Sequence, residues 1–216
     1  MTERSTRFGR RSLLRWMAGA PLASGLVLPA VLAGPTPAVD RGPFYPVKKP
    51  EDSDADLTLV RSHSQRAAGQ VVEISGRVLA LDGKPIADAI IEIWQANHHG
   101  RYAHPADTNP APLDPDFQGY ALVRTDGEGR YKLLTIKPGA YPATPGWTRP
   151  PHIHFDVRSK TSREVTQMFF PGESLNGTDR LFLAIPEAER AAVLARQAGV
   201  TDGVTRLEWD VVLRTA

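Results

Sequence analysis

From His152 to Arg158 the chain reads His-Ile-His-Phe-Asp-Val-Arg, with polar and apolar residues alternating without a break. A period of two belongs to an extended strand, whose successive side chains point to opposite faces. Ile153, Phe155 and Val157 therefore share one face, and His152 and His154 share the other. An apolar strand face needs a second layer to cover it, and the rest of the chain supplies the pieces. Val71–Leu79, Ala89–Trp94, Gly119–Thr125, Arg130–Ile136, Val165–Phe169 and Thr205–Leu213 are further short strand-like runs. Asp82-Gly83-Lys84-Pro85, Asp126-Gly127-Glu128-Gly129 and Pro138-Gly139 mark turns between some of them. This pattern predicts an all-β domain over residues 71–216 with an antiparallel β-sandwich core. The length of 216 residues suits one such domain. One short helix is expected over Glu187–Gln197, where Pro186 suits the first turn, glutamates follow it and Gly199 lies just beyond.

The N-terminus has a different character. Gly9-Arg10-Arg11-Ser12-Leu13-Leu14-Arg15 resembles a twin-arginine export motif, and a mostly apolar run follows to Ala33, interrupted by Pro21, Gly25 and Pro29. Those breaks suit a signal segment better than a membrane span. Residues 1–33 are expected to be a signal peptide cleaved near residues 33–38, at Val31-Leu32-Ala33 or Thr36-Pro37-Ala38. The twin-arginine export machinery would then deliver a folded protein to the periplasm or the medium. An uncleaved membrane anchor is the other reading of this segment. Residues 34–70, rich in Pro, Asp and Ser, read as an extended N-terminal arm with one apolar knot at Gly42-Pro43-Phe44-Tyr45-Pro46.

Charge narrows the function. Residues 1–33 carry five arginines against Glu3, a net of +4, and the whole chain carries +2, so the remainder is −2. A slightly acidic body gives no electrostatic basis for binding nucleic acid. The chain has no cysteine, which excludes thiolate metal sites, iron–sulfur clusters and cysteine nucleophiles. A bound metal would have to be held by imidazole, carboxylate or phenolate, a set that favours harder ions such as iron.

Two stretches gather such groups. Tyr141 to Phe155 holds Tyr141, Trp147, Arg149, His152 and His154, with Pro142, Pro150 and Pro151 stiffening the backbone. Two imidazoles on one strand face are a metal-ligand pair in need of partners. The second stretch, Trp94 to His104, leaves a strand for a loop and carries His98, His99, Tyr102 and His104. From the residues alone, the three histidines and Tyr102 compete as additional ligands. No HExxH, GxSxG or phosphate-cradling glycine loop occurs.

Longer motifs carry a resemblance. Ile-Glu-Ile-Trp-Gln-Ala-Asn (91–97), Gly-Arg-Tyr (100–102), Pro-Leu-Asp-Pro-Asp-Phe (112–117), Thr-Ile-Lys-Pro-Gly-Ala-Tyr-Pro (135–142), Arg-Pro-Pro-His-Ile-His-Phe (149–155) and Thr-Gln-Met-Phe-Phe (166–170) are similar to the intradiol ring-cleavage dioxygenases. The resemblance covers the chain from about Gly42 onward and implies a β-sandwich enzyme with one non-haem Fe(III) per chain. It implies Tyr102, Tyr141, His152 and His154 as iron ligands, with Tyr141 the one displaced by substrate. Arg149 would stabilise charge developing on the substrate ring, and Gln167 would orient the substrate or Arg149. His98, His99 and His104 become loop residues at the mouth. The implied reaction opens a catechol-type ring, protocatechuate or catechol, with O2 to give a cis,cis-muconate, and the resemblance also implies assembly into oligomers. Two departures stand out. Trp147 is displaced from its usual place directly after Tyr-Pro, and the helical dimerisation segment of catechol 1,2-dioxygenases has no counterpart.

Two other readings fit parts of the pattern. Ile74–Val78 and Ile90–Ile93, with Asp126–Tyr131, also suit a transthyretin-like β-sandwich acting as a binding module. His98, His99 and His104 with the His152/His154 pair would suit a zinc hydrolase.

Overall fold

Eleven strands run through residues 34–214, the part of the chain that the computed structural model describes. The export motif and apolar run of residues 1–33 lie outside it. In chain order the strands are β1 (Val71–Ala80), β2 (Ile90–Trp94), β3 (Tyr120–Arg124), β4 (Arg130–Ile136), β5 (Tyr141–Thr144), β6 (Trp147–Arg149), β7 (His152–Arg158), β8 (Arg163–Phe169), β9 (Arg196–Thr201), β10 (Val204–Glu208) and β11 (Val211–Leu213). One sheet has the order β3-β2-β7-β8, the other β11-β1-β10-β9 with β4 also on β1, and β5 and β6 form a separate hairpin.

The two larger sheets share a core, as the strand count predicts. Ile91, Ile93, Ile153, Phe155, Val157 and Met168 from the first meet Val72, Ile74, Val78, Leu133 and Leu207 from the second. The alternation in β7 sends Ile153, Phe155 and Val157 into this core. Yet His152, His154 and Asp156 are buried as well, so the strand is covered on both faces.

Three features depart from the sequence expectation. The sheet built on β1 is mixed: β1 pairs with β10 and with β11 in parallel, while the other strand pairs are antiparallel. A period of two fixes which face a residue takes and carries no strand direction. The run Thr205–Leu213 is two strands, broken where Trp209 N donates to Ser75 O (2.9 Å) and Asp210 Oδ1 accepts from Arg77 N (2.7 Å).

The helix expected over Glu187–Gln197 is a 3-10 helix over Glu187–Val193, after which the chain extends into β9. Tertiary pairing overrides helix propensity here. Ala195 N donates to Phe169 O (3.0 Å), Trp209 Nε1 donates to Ala192 O (2.9 Å), and β9 pairs with β10. The α-helix lies earlier, α1 at Arg180–Ala184. Asp179 caps it by accepting from Phe182 N at 2.8 Å.

Residues 34–70 contribute no strand or helix of their own, but they are stitched into both sheets. Thr36 N donates to Val212 O (2.9 Å) and Thr36 Oγ1 accepts from Val212 N (2.8 Å), on β11. Three residues later Val39 N donates to Val165 O (3.0 Å), and Thr166 Oγ1 donates to Pro37 O (2.7 Å), on β8. Further along, Leu57 is fully buried in the shared core. Thr166→Val keeps the shape of a fully buried side chain but leaves the Pro37 carbonyl without its donor. The expected cost is about 1–3 kcal/mol of unfolding free energy, read from urea denaturation.

Candidate metal centre

The polar face of the β3-β2-β7-β8 sheet carries the centre. His154 lies opposite Trp94 on β2 and Gln167 on β8. The Trp94 indole stacks on the His154 ring, centroids 4.8 Å apart and planes 9° from parallel. Two loops bring tyrosines over this face. Tyr102 follows β2, and its backbone N is held by Asp107 Oδ2 at 2.7 Å. Tyr141 opens β5, in register with Arg149 on β6. The loops touch through glycines. A Cβ on Gly100 would lie 2.3 Å from Ala140 O, and one on Gly139 would lie 2.5 Å from Gly100 N. Without side chains there, the two tyrosine loops pack backbone to backbone.

All four predicted ligands are brought together. Tyr102 Oη is 3.0 Å from His154 Nε2. Ring centroids are 4.9 Å apart for His152 and His154, 5.6 Å for Tyr102 and Tyr141, and 5.7 Å for Tyr141 and His152. His152 Nδ1 lies 2.7 Å from Pro150 O, so this nitrogen carries the proton and Nε2 keeps its lone pair, which accepts from Arg149 Nη1. A ligating histidine held by a carbonyl on its other nitrogen is the usual arrangement around a metal.

Burial sets the charge state. Desolvation, and then the nearby Arg149, push both histidines well below the ordinary imidazole value, so each is a neutral donor. Desolvation raises both tyrosines, Tyr102 far above an ordinary phenol, with the Arg149 charge pulling part of the way back. Phenols of this kind give up their protons only to a strong Lewis acid. Two neutral imidazoles and two phenols, with no cysteine in the chain, make a donor set that fits ferric iron.

Arg149 and Gln167 sit beside these ligands, as the resemblance implies. Arg149 Nη1 is 3.0 Å from His152 Nε2, and Nη2 donates to Gln167 Oε1 at 2.8 Å. Gln167 Nε2 in turn donates to Asp40 O on the arm (2.6 Å). What the sequence reasoning missed is Asp179. Fully buried, it accepts from Arg149 Nε at 2.9 Å and Nη2 at 3.3 Å while capping α1. Burial is the largest single influence and opposes the Arg149 charge, but hydrogen bonding to Asp179 together with the pull of Asp179, Tyr141 and Tyr102 outweighs it, so the guanidinium pKa stands above its ordinary value. An acidic residue just before the apolar turn Leu181-Phe182-Leu183 was the available signal, and it pointed only to a helix cap. The displaced Trp147 lies 5.8 Å from Arg149 and 5.1 Å from Arg180, ring centroid to guanidinium carbon.

The loop histidines do not join the centre. His98 and His99 pack on each other with centroids 3.6 Å apart and planes tilted by 43°, and His104 packs edge-on against Phe44 at 5.8 Å. Among the described residues no cluster of three or more His, Cys, Asp or Glu could hold a metal, so the zinc arrangement is not assembled there. His104 does line a cavity of about 140 Å3 beside Tyr102, together with Phe44, Trp94, Arg101, Phe117 and Tyr120. A larger open groove of about 1180 Å3 lies elsewhere, over Tyr131 and Trp209, and none of the ligand residues lines it.

Asp179→Asn preserves volume and leaves the Arg149 charge buried without its partner. The expected loss is about 3–5 kcal/mol in urea unfolding of the metal-free protein. Adding Arg149→Met to Asp179→Asn should recover part of it.

Comparison with known proteins gives the arrangement a family. The sequence profile of a family described as Dioxygenase matches residues 41–215. The protocatechuate 3,4-dioxygenase beta chain of Burkholderia cepacia is 44% identical over 184 residues, 81% of this chain and 78% of that one. Catechol 1,2-dioxygenase 2 of Acinetobacter lwoffii is 35% identical over 63% of this chain, which spans about half (51%) of its length. Among solved structures, the dioxygenase domain of a dioxygenase–carbohydrate-binding fusion from Streptomyces sp. SirexAA-E superposes with a TM-score of 0.65 at 27% identity, covering 85% of this chain and 100% of that domain. The chain thus belongs to the intradiol ring-cleavage dioxygenases and is an enzyme of that kind.

Proposed function

We propose that the protein binds one ferric ion through Tyr102, Tyr141, His152 and His154 and cleaves a catechol-type aromatic between its two hydroxyl-bearing carbons. Both atoms of O2 enter the product, a cis,cis-muconate. The observation that carries this reading is the convergence of two neutral imidazoles and two phenols in a buried pocket under a single arginine. The relatives' names support it, since protocatechuate, catechol and hydroxyquinol all present adjacent hydroxyls.

When bound, ferric iron supplies the Lewis acidity that holds tyrosines and a catechol as their oxyanions. The residues of the chain do the rest. As phenolates, Tyr102 and Tyr141 offset two of the three cationic charges, which reduces the cost of burying the ion. His152 and His154 anchor without adding charge. Tyr141 stands at the start of the β5–β6 hairpin opposite Arg149, away from the sheet that fixes the histidines. It is the phenolate placed to leave and to take a proton from an incoming catechol hydroxyl. Arg149, locked by Asp179 and Gln167, presents a preorganised positive charge to the electron density that builds on the ring. Trp94, Phe44 and Tyr102 supply flat apolar walls.

Among the cations that could meet a charged substituent on the ring, Arg101 lines the cavity beside Tyr102. Lys137 is instead paired with Glu173, and Arg124 faces the distant groove. O2 uptake compared across catechol, protocatechuate, hydroxyquinol and methylcatechols identifies the substrate.

Purified iron-loaded protein should be burgundy, from charge transfer between tyrosinate and iron, and Tyr141→Phe should shift the visible band. A colourless protein with stoichiometric zinc overturns the iron assignment. Arg149→Ala should lower kcat by roughly 10²–10³-fold while iron content, measured by elemental analysis, is retained; unchanged turnover removes its catalytic role.

A further inference from the structure

Glu92 is a carboxylate within a strand that otherwise reads Ile-Ile-x-Ile-Trp, and its side chain is only 2% exposed. Neither the metal ligands nor the Arg149–Asp179 pair uses it. A buried carboxylate calls for a reason, and its partners supply one. Tyr45 Oη donates to Glu92 Oε2, Lys49 Nζ donates to Glu92 Oε1 at 2.8 Å, and Arg158 Nη2 also binds Oε1. Two of these three partners lie on the arm, more than forty residues away in sequence. The third, Arg158, lies on β7, whose Asp156 is opposite Glu92 in the sheet and is held from the other side by Arg163.

What the arm does between its attachments gives Glu92 its significance. Upstream, Asp40 O is held by Gln167. At Gly42 the backbone runs against the His154 ring, close enough that a Cβ would meet Cε1 at 3.3 Å. Phe44 then packs on Tyr102, centroids 4.7 Å apart, and reaches Tyr141 at 6.1 Å. Tyr45 stands perpendicular to Trp94 at 5.0 Å, with the Arg41 guanidinium carbon 3.5 Å from its ring centroid. Trp94 is the residue stacked on His154, and it lies two positions from Glu92 on the same face of β2. The arm segment from Asp40 to Lys49 is therefore a wall of the metal centre, tied at one end to Gln167 and at the other to Glu92.

We propose that Glu92 is a positioning residue for substrate binding: it latches the arm so that Phe44 and Tyr45 form a fixed aromatic wall beside Tyr102, Trp94 and His154. The inference rests on the dioxygenase reading for its link to substrate and on the hydrogen bonds alone for the latch. Glu92→Gln keeps the shape and removes the charge that Lys49 and Arg158 neutralise. Tyr45→Phe keeps the ring on Trp94 and removes only the hydroxyl.

Backbone order parameters from NMR relaxation of the metal-free protein test the latch apart from the chemistry. In both variants the order parameters of the arm residues between Gly42 and Lys49 should fall below about 0.6, with β7 staying near about 0.85. In the iron-loaded enzyme, KM should rise roughly 5- to 10-fold with kcat within about 2-fold, the pattern of a lost binding wall. Equal order parameters in wild type and Glu92→Gln overturn the latch. A fall spread equally over the arm and β7 makes Glu92 a general fold residue and also overturns it. A fall confined to the arm with unchanged KM overturns the positioning role. An inactive wild-type enzyme whose arm still loosens in the variants points to failure of the dioxygenase reading instead.

Discussion

Burial of β7 on both faces is the constraint from which the rest of the site follows. Ile153, Phe155 and Val157 are covered by the second sheet in the ordinary way of a sandwich. His152, His154 and Asp156 are covered too, and a buried polar face must be given partners. The cover comes from four pieces that are remote in sequence: the arm, the loop holding Tyr102, the β5–β6 hairpin and the turn leading into α1. Each brings a polar or aromatic group that the strand needs. The candidate metal centre is the place where their contributions meet.

Charge is distributed over that cover with little left over. The two imidazoles are kept neutral by desolvation, and the phenols hold their protons for the same reason. The fixed charge closest to the ligands, Arg149, is matched by Asp179. Farther along the same sheet face, Glu92 and Asp156 are matched by Lys49, Arg158 and Arg163. A trivalent ion meeting two ionisable phenols would therefore enter a site whose nearest fixed charge, Arg149, is already paired.

Much of this was legible in the sequence, and the parts that were not share a cause. The period of two in β7 placed His152 and His154 opposite the core-facing residues, and motif resemblance supplied Tyr102 across a long gap. Strand β4 carries its expected bounds, and β1, β2 and β3 lie within about a residue of theirs. The parallel pairing of β1, the strand at Arg196–Thr201 and the 3-10 geometry of Glu187–Val193 depend on contacts with Ser75, Phe169 and β10. No local pattern encodes those contacts. Asp179 and Glu92 were passed over for a related reason. Each is an ordinary acidic residue until its distant arginine, tyrosine or lysine is known.

The stitching of Thr36 to β11 and of Pro37 and Val39 to β8 carries a consequence of its own. Both strands lie at the edge of their sheets, and an uncovered edge offers its free amides and carbonyls to any other strand. Residues 36–39 occupy those groups on both sheets at once. Trimming the chain past Val39 would therefore open both sticky margins, so the folded body reaches back to Thr36, well ahead of the first strand.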